Sequence, residues 1–186
     1  IKDAYSSLRG LDLEIAKDVL TRDDEVDRFG IYTVRLLKAV CENRIRASET
    51  GLREIRECLG YRVIVKSIER VADYAVSIAK NVMTIEEPLP SSILKRVGSL
   101  VDFSSNLFSS SLQSLEKSDY RLAEWVIQRG RSVSRFVKPV LVSIFSFPAS
   151  GALPLRMIVG SLQRIAEHST DIAEIVLNLT VPKHLS

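Results

Sequence analysis

The sequence Tyr61-Arg-Val-Ile-Val-Lys-Ser-Ile-Glu-Arg-Val-Ala-Asp73 decides the fold, because its apolar residues recur at the three- and four-residue spacing of one helical face. The same pattern returns as Leu155-Arg-Met-Ile-Val-Gly-Ser-Leu-Gln-Arg-Ile-Ala-Glu167. Upstream, residues 16–29 return in the same way as residues 123–136. The chain therefore consists of two related helical halves.

The two copies differ in their acidic residues. The apolar and arginine positions are kept, whereas three carboxylates of the first copy are lost: Asp23, Asp27 and Glu69 become Gly130, Ser134 and Gln163. A shared scaffold with selective loss of acids indicates that these acids have a purpose separable from folding.

Composition is that of a globular protein. The 186 residues are 46% hydrophobic and 26% charged, enough apolar material for a core. The net charge of +3 is too small to indicate nucleic-acid binding by itself. No apolar run approaches the ~20 residues that a membrane helix needs, and no signal peptide is visible. We therefore expect a cytoplasmic protein with no membrane insertion and no direct nucleic-acid partner from this segment.

The two cysteines, Cys41 and Cys58, have no histidines at metal-ligand spacing. A disulfide between them remains open, but small apolar side chains in a reducing compartment are the favoured interpretation. A run of serines is interpreted as a solvent-facing helix surface, with close helix approach or a partner surface as the alternatives: Ser104, Ser105, Ser109, Ser110, Ser111 and Ser114.

Breaks in the apolar pattern predict an all-α fold of six helices in an elongated bundle. Pro88 and Pro90 stop one helix and Ser91 can cap the next, which divides the chain into three-helix repeats at 1–87 and 91–186. Ser118-Asp119 predicts a second cap, mirrored in the first half by the polar residues 21–24. The predicted helices cover roughly residues 1–19, 20–49, 52–84, 91–117, 119–146 and 153–180.

Two acid pairs predict a metal site in the first repeat. Asp23 and Asp27 are four residues apart, as are Glu69 and Asp73, so each pair projects from one helical face. If the second and third helices pack side by side, the four carboxylates converge. An all-oxygen site suits Mg²⁺, Mn²⁺ or iron. The alternative is that both pairs simply face water.

The stretch Leu20-Thr-Arg-Asp-Asp-Glu-Val-Asp-Arg28, together with Ile68-Glu-Arg-Val-Ala-Asp-Tyr-Ala-Val-Ser-Ile-Ala79, resembles the PhoU family of phosphate-uptake regulators, and its long second helix resembles the archaeal members. The resemblance implies two tandem three-helix repeats and an iron- or zinc-type metal held by these acids. It also implies a cytoplasmic negative regulator of phosphate import that contacts a phosphate transporter and a signalling or transcription protein. Carried over by position, the metal ligands are Asp23, Asp27, Glu69 and Asp73.

The second repeat departs from that pattern, since Glu167 alone keeps a charge at the corresponding positions. Glu167 and Asp171 with His168 beside them form a weaker candidate pair, for which a solvated helix face is the favoured interpretation. We therefore expect one metal site at most, in the first repeat.

Other functional classes receive less support. No glycine-rich phosphate loop, Ser-His-Asp grouping or nucleotide fingerprint is present, so we expect a non-enzyme; a metal-dependent hydrolase would require an activity that Asp73→Asn abolishes. The alternative is a helical sensory or dimerisation domain of a larger DNA-binding regulator, truncated upstream of residue 1. Wide apolar stripes predict self-association as a homodimer, and Trp125, at the repeat position of Asp18, is a candidate contact residue.

Overall fold

The first half of the chain folds into four α-helices. A computed structural model describes residues 1–145 and 149–180. Helices α1 (Lys2–Gly10) and α2 (Leu13–Thr21) are short, α3 (Asp23–Cys41) and α4 (Glu57–Val82) are long, and a 3-10 turn at Ala47–Thr50 lies between α3 and α4.

The second half repeats this order with a longer first helix. It contains α5 (Ser91–Lys117), α6 (Tyr120–Gly130), α7 (Ser134–Ile144) and α8 (Ala149–Thr180). Residues 1–145 and 149–180 contain no strand, and the predicted all-α class is confirmed. None of the helices in these two stretches combines the length and apolarity that crossing a membrane requires.

The predicted first helix, 1–19, is divided in two by a turn. Leu11 adopts a left-handed conformation with φ of 47°, and Asp12 then caps α2 by accepting hydrogen bonds from two backbone N–H groups. Ser118, with φ of 50°, and Asp119 form the same turn between α5 and α6. The second copy of the turn was predicted, but its mirror image was placed wrongly at residues 21–24, because leucine carries no turn signal.

Four further predicted helices differ from the structure. The predicted helix 20–49 begins at Asp23 and ends at Cys41, and the predicted helix 52–84 spans Glu57–Val82. The predicted helix 119–146 is interrupted between Gly130 and Ser134, and the predicted helix 153–180 begins at Ala149. Residues 146 and 181–186, where the predicted fifth helix and second repeat end, lie outside the described residues. The division into repeats 1–87 and 91–186 stays a prediction.

Helices α4 and α8 form the centre of the molecule. They pack on each other and, with α5, carry most of a continuous core that also receives α1, α2 and α7. Tyr74 on α4 and His168 on α8, which are repeat-equivalent, stack with ring centroids 5.8 Å apart. Such contact between equivalent residues is expected where two repeats meet across a local two-fold axis.

Helix α3 lies at the outside of this arrangement. Its main contacts are with α4 and, to a smaller extent, α2. Only Gly30, Leu37 and Val40 are buried along its length. A thinly attached helix that begins with a cluster of acids is therefore held almost entirely by α4.

Candidate metal site between α3 and α4

The four predicted acids lie on α3 and α4. Asp23 is coupled electrostatically to Asp73 across the two helices and to Asp27 one turn along α3. Glu69, one turn earlier on α4, lies against Gly30 of α3. The two helices therefore run in opposite directions, and the two acid pairs follow one seam between them, called here the acid seam (Asp23, Asp27, Glu69 and Asp73).

Asp23 is the member of the acid seam with unmet hydrogen-bonding capacity. Its Oδ1 atom is buried and has no hydrogen-bond partner. Burial raises the pKa of Asp23, and the carboxylates of Asp73, Asp27 and Asp24 raise it further, against a smaller opposing effect of Lys80. A charged Asp23 is therefore disfavoured in the protein alone, and a cation placed there would relieve both causes.

Glu69 differs from the three aspartates, because it already has a cation partner. Its carboxylate lies 2.8 Å from Lys66 Nζ, and its side chain is only 15% exposed. The absence of a side chain at Gly30 makes room for this carboxylate, since a Cβ there would overlap Glu69 Oε1. Glu69 is placed at the seam by packing as well as by charge.

The acid seam has the oxygen donors that a cation needs, but its side chains are not arranged around one point. Within residues 1–145 and 149–180, no three His, Cys, Asp or Glu side chains are grouped as a ready metal centre. An unpartnered buried carboxylate oxygen with two further aspartates close by is nevertheless the donor set that hard cations prefer. Asp27 and Asp73 are exposed, so their side chains are free to change rotamer.

A cavity of about 520 Å³ borders the acid seam on the inner side. Asp23 lines this cavity, and so does Ser105 of α5, whose Oγ atom is also buried without a hydrogen-bond partner. The interpretation of the α5 serines as solvent-facing holds for Ser109, which is exposed. It is wrong for the four that are buried: Ser104, Ser105, Ser111 and Ser114. Ser104 Oγ donates to the Leu162 carbonyl at 2.9 Å. Serine is small and satisfies its hydroxyl on nearby carbonyls, so burial leaves no sequence signal. The apolar lining comprises Val19, Val26, Ile68, Val71, Ala72, Ala75, Val76 and Phe108.

The corresponding place in the second repeat is closed by packing. A Cβ on Gly130, the counterpart of Asp23, would overlap the side chain of Thr170 on α8. Glu167 accepts from Gln163 Nε2 at 2.9 Å and from Arg164 at 2.8 Å. The carboxylate of Glu167 is therefore already paired with neighbours on its own helix.

The pairing of His168 was not foreseen from the sequence. His168 Nδ1 lies 3.0 Å from Asp171 Oδ2 while its ring stacks on Tyr74. His168 is buried, so its ring is part of the packing between α4 and α8. His168 therefore has a polar partner on α8 and an aromatic partner on α4.

Fold and site together define an all-α protein of two tandem helical repeats, with an acid seam in the first repeat only. A family model described as the PhoU domain matches residues 1–82. The predicted resemblance to the PhoU family is confirmed.

Curated relatives extend the similarity beyond that domain. A phosphate-specific transport system accessory protein PhoU homolog of Zymomonas mobilis is 25% identical over 169 residues, covering 88% of this chain and 70% of that protein. The homolog of the same name in Pseudomonas aeruginosa is 23% identical over 189 residues, covering 96% of this chain and 75% of that protein.

Solved structures show the same fold. The crystal structure of PhoU from Pseudomonas aeruginosa matches with a TM-score of 0.76 at 24% identity, covering 96% of this chain and 87% of that chain. The phosphate transport system regulatory protein PhoU from Streptococcus pneumoniae matches with a TM-score of 0.79 at 17% identity, covering 96% and 84%.

Proposed function

We propose that this protein is a non-catalytic accessory regulator of a phosphate transport system. The observation that carries the proposal is the similarity to proteins named as phosphate-specific transport accessory proteins, which extends over 88% of this chain for one of them and 96% for another. The protein acts in the cytoplasm as a negative regulator, through contacts with a transporter component or a signalling protein.

Metal binding at the acid seam is the second part of the proposal. Asp23, Asp27 and Asp73 hold the ion, and Glu69 joins them by exchanging Lys66 for it. The unpartnered oxygen and raised pKa of Asp23 support this assignment. The ion is of the iron or zinc type, with Mg²⁺ or Mn²⁺ as alternatives. It supplies positive charge that fastens α3 to α4.

The partner contacts the outer face of α3. Phe29 and Tyr32 lie on that face with exposed fractions of 73% and 61%, and Glu25 and Arg28 flank them. Exposed aromatic residues beside charged ones are typical of protein interfaces. Metal at the seam and partner on the outside would act on the same helix, so that metal occupancy sets the affinity for the partner.

Elemental mass spectrometry of the purified protein tests the metal assignment. We expect a stoichiometric metal that is lost in Asp27→Asn/Asp73→Asn and kept in Glu86→Gln/Glu87→Gln, which removes the same charge from an exposed linker. A wild-type protein that stays metal-free after incubation with iron, zinc, manganese and magnesium would show that the acid seam is not a metal site.

Phosphate uptake by cells tests the regulatory role. Deletion of the gene should raise uptake in phosphate-rich medium, and the wild-type gene should restore it. Phe29→Ala/Tyr32→Ala should fail to restore regulation, whereas Tyr120→Ala, which removes an exposed aromatic side chain at the start of α6, should succeed. Unchanged uptake in the deletion strain would refute negative regulation, whatever the metal content of the protein.

A further inference from the structure

The two cysteines of the chain are neighbours in space. Cys41 is the last residue of α3, and Cys58 lies in the first turn of α4. The packing of α3 on α4 brings them together across the connection formed by residues 42–56, because Leu37 and Val40, which precede Cys41 on α3, share one apolar cluster with Cys58. Both thiols are free.

The surroundings give the two thiols unequal access to solvent. Cys41 is exposed, whereas Cys58 is 5% exposed and packs with Leu37, Val40 and Leu52 in a small apolar cluster at this end of α3. Burial, followed by the contact with Cys41, raises the pKa of the Cys58 thiol. Cys41 is therefore the thiol that an external reagent meets first.

We propose that Cys41 and Cys58 form a reactive dithiol that closes reversibly to a disulfide by exchange with a low-molecular-weight disulfide. The bond fastens the carboxyl end of α3 to the first turn of α4. This modification site is separate from the acid seam and independent of the proposed transport function.

The chemistry takes place in two exchanges. The Cys41 thiolate attacks one sulfur of the external disulfide, which forms a mixed disulfide at Cys41 and releases one thiol. The Cys58 thiolate then attacks Cys41 Sγ, which forms the Cys41–Cys58 bond and releases the second thiol. The protein loses two electrons and two protons, and the external disulfide gains them as two thiols.

The bond would strengthen the one end at which α3 is anchored. Buried residues on α3 are few, and the cluster that includes Leu37 and Val40 anchors the same end that carries Cys41. A covalent bond at this end removes the opening motion in which α3 separates from α4. Oxidation should therefore protect α3 from proteolysis without altering the remaining helices.

Titration with oxidised glutathione, followed by thiol counting in denaturant and intact mass measurement, tests the bond. Wild-type protein should lose both thiols and two hydrogen atoms, with no retained glutathione and no change in its monomer or oligomer size. Cys58→Ala should stop at a glutathione adduct on Cys41. Cys41→Ser should react at least tenfold more slowly than Cys58→Ala, because Cys58 is buried.

Limited trypsin digestion tests the consequence for α3. In the oxidised wild type, cleavage after Arg28, Arg35 and Lys38 should be several-fold slower than in the reduced protein, while Cys41→Ser/Cys58→Ala should be insensitive to oxidant. A wild type that accumulates the glutathione adduct as Cys58→Ala does, or that forms only intermolecular disulfides, would overturn the proposed bond. Equal cleavage rates in the two redox states would overturn its effect on α3.

Discussion

Asp23 is held where its negative charge is unfavourable. Its Oδ1 atom is buried without a partner, and Asp73, Asp27 and Asp24 add repulsion. A residue of this kind lowers the stability of the metal-free protein, and a carboxylate so placed is typical of a functional site. Asp23 is therefore the residue at which stability and function oppose each other.

The change Asp23→Asn should stabilise the metal-free protein at neutral pH. Because the pKa of Asp23 is raised on folding, the folded state binds more protons, and wild-type stability falls as pH rises above the usual aspartate range. Asparagine does not ionise, so the stability of the variant does not fall in this way as the pH rises. Partial exposure screens the effect, so we expect a gain of only a few tenths of a kcal/mol.

Urea denaturation in the presence of a chelator measures this gain at pH 7 and at acid pH. The difference between variant and wild type should shrink on acidification, where Asp23 is protonated in both states of the wild type. Glu87→Gln, in the exposed linker, should show no such dependence. A variant less stable than wild type at pH 7 would contradict the electrostatic account.

At the scale of the helical element, the two repeats share a turn at aligned positions. Leu11-Asp12 and Ser118-Asp119 combine a left-handed residue with an aspartate cap. The backbone N–H of each aspartate also donates to the carbonyl of a buried serine, Ser7 or Ser114, at 3.0 and 2.8 Å. The turn sets the direction in which α2 and α6 leave the preceding helix.

Removal of either cap should cost about the same free energy of unfolding. We expect Asp12→Ala and Asp119→Ala each to destabilise the protein by about 1 kcal/mol, because each leaves backbone N–H groups at a helix start without a partner. Asp119→Asn, which keeps an accepting oxygen, should cost much less. The measurement is urea denaturation followed by circular dichroism, and equal losses for Ala and Asn would count against the capping role.

Helix packing also explains why the second repeat does not tolerate an acid at position 130. Gly130→Asp, which restores the first-repeat residue, should destabilise the protein by about 1–3 kcal/mol, because the new side chain overlaps Thr170. Gly130→Ala should lower the free energy of unfolding by less, since alanine favours the helix. Thr170→Ala should rescue the alanine variant in a double-mutant cycle, and additive losses would disprove the contact.

At the scale of the whole molecule, one apolar core joins the two repeats. A continuous cluster contains Ala4 of α1 and Ile78 of α4 together with Leu100 of α5 and Leu162 of α8. Residues of both repeats thus exclude water from the same interior. We expect the described helices to unfold together rather than as two independent halves.

Truncation of the core in either repeat should therefore lower the stability of both. Leu162→Ala and Ile78→Ala, at positions almost fully buried, should each cost about 2–5 kcal/mol. Hydrogen exchange should quicken in α2 and α6 alike in both variants. Loss of protection confined to the mutated repeat would show that residues 1–87 and 91–186 are energetically separate domains.

The sequence by itself determined the all-α class, the doubling of the helical pattern and the acids lost from the second copy. These are local properties: apolar spacing and residue type are read along one segment and do not depend on what that segment touches. The acid pairs were placed on the right helices for the same reason, although the turn at Leu11 was missed.

Which side chains meet depends on how the helices pack in three dimensions. The stacking of Tyr74 on His168 and the packing of Cys58 with Val40 join residues from different helices. The unpartnered oxygen of Asp23 and the burial of Ser105 likewise depend on how several helices pack. Such contacts follow from the depth and angle at which helix surfaces interlock, and periodicity along one helix carries no record of them.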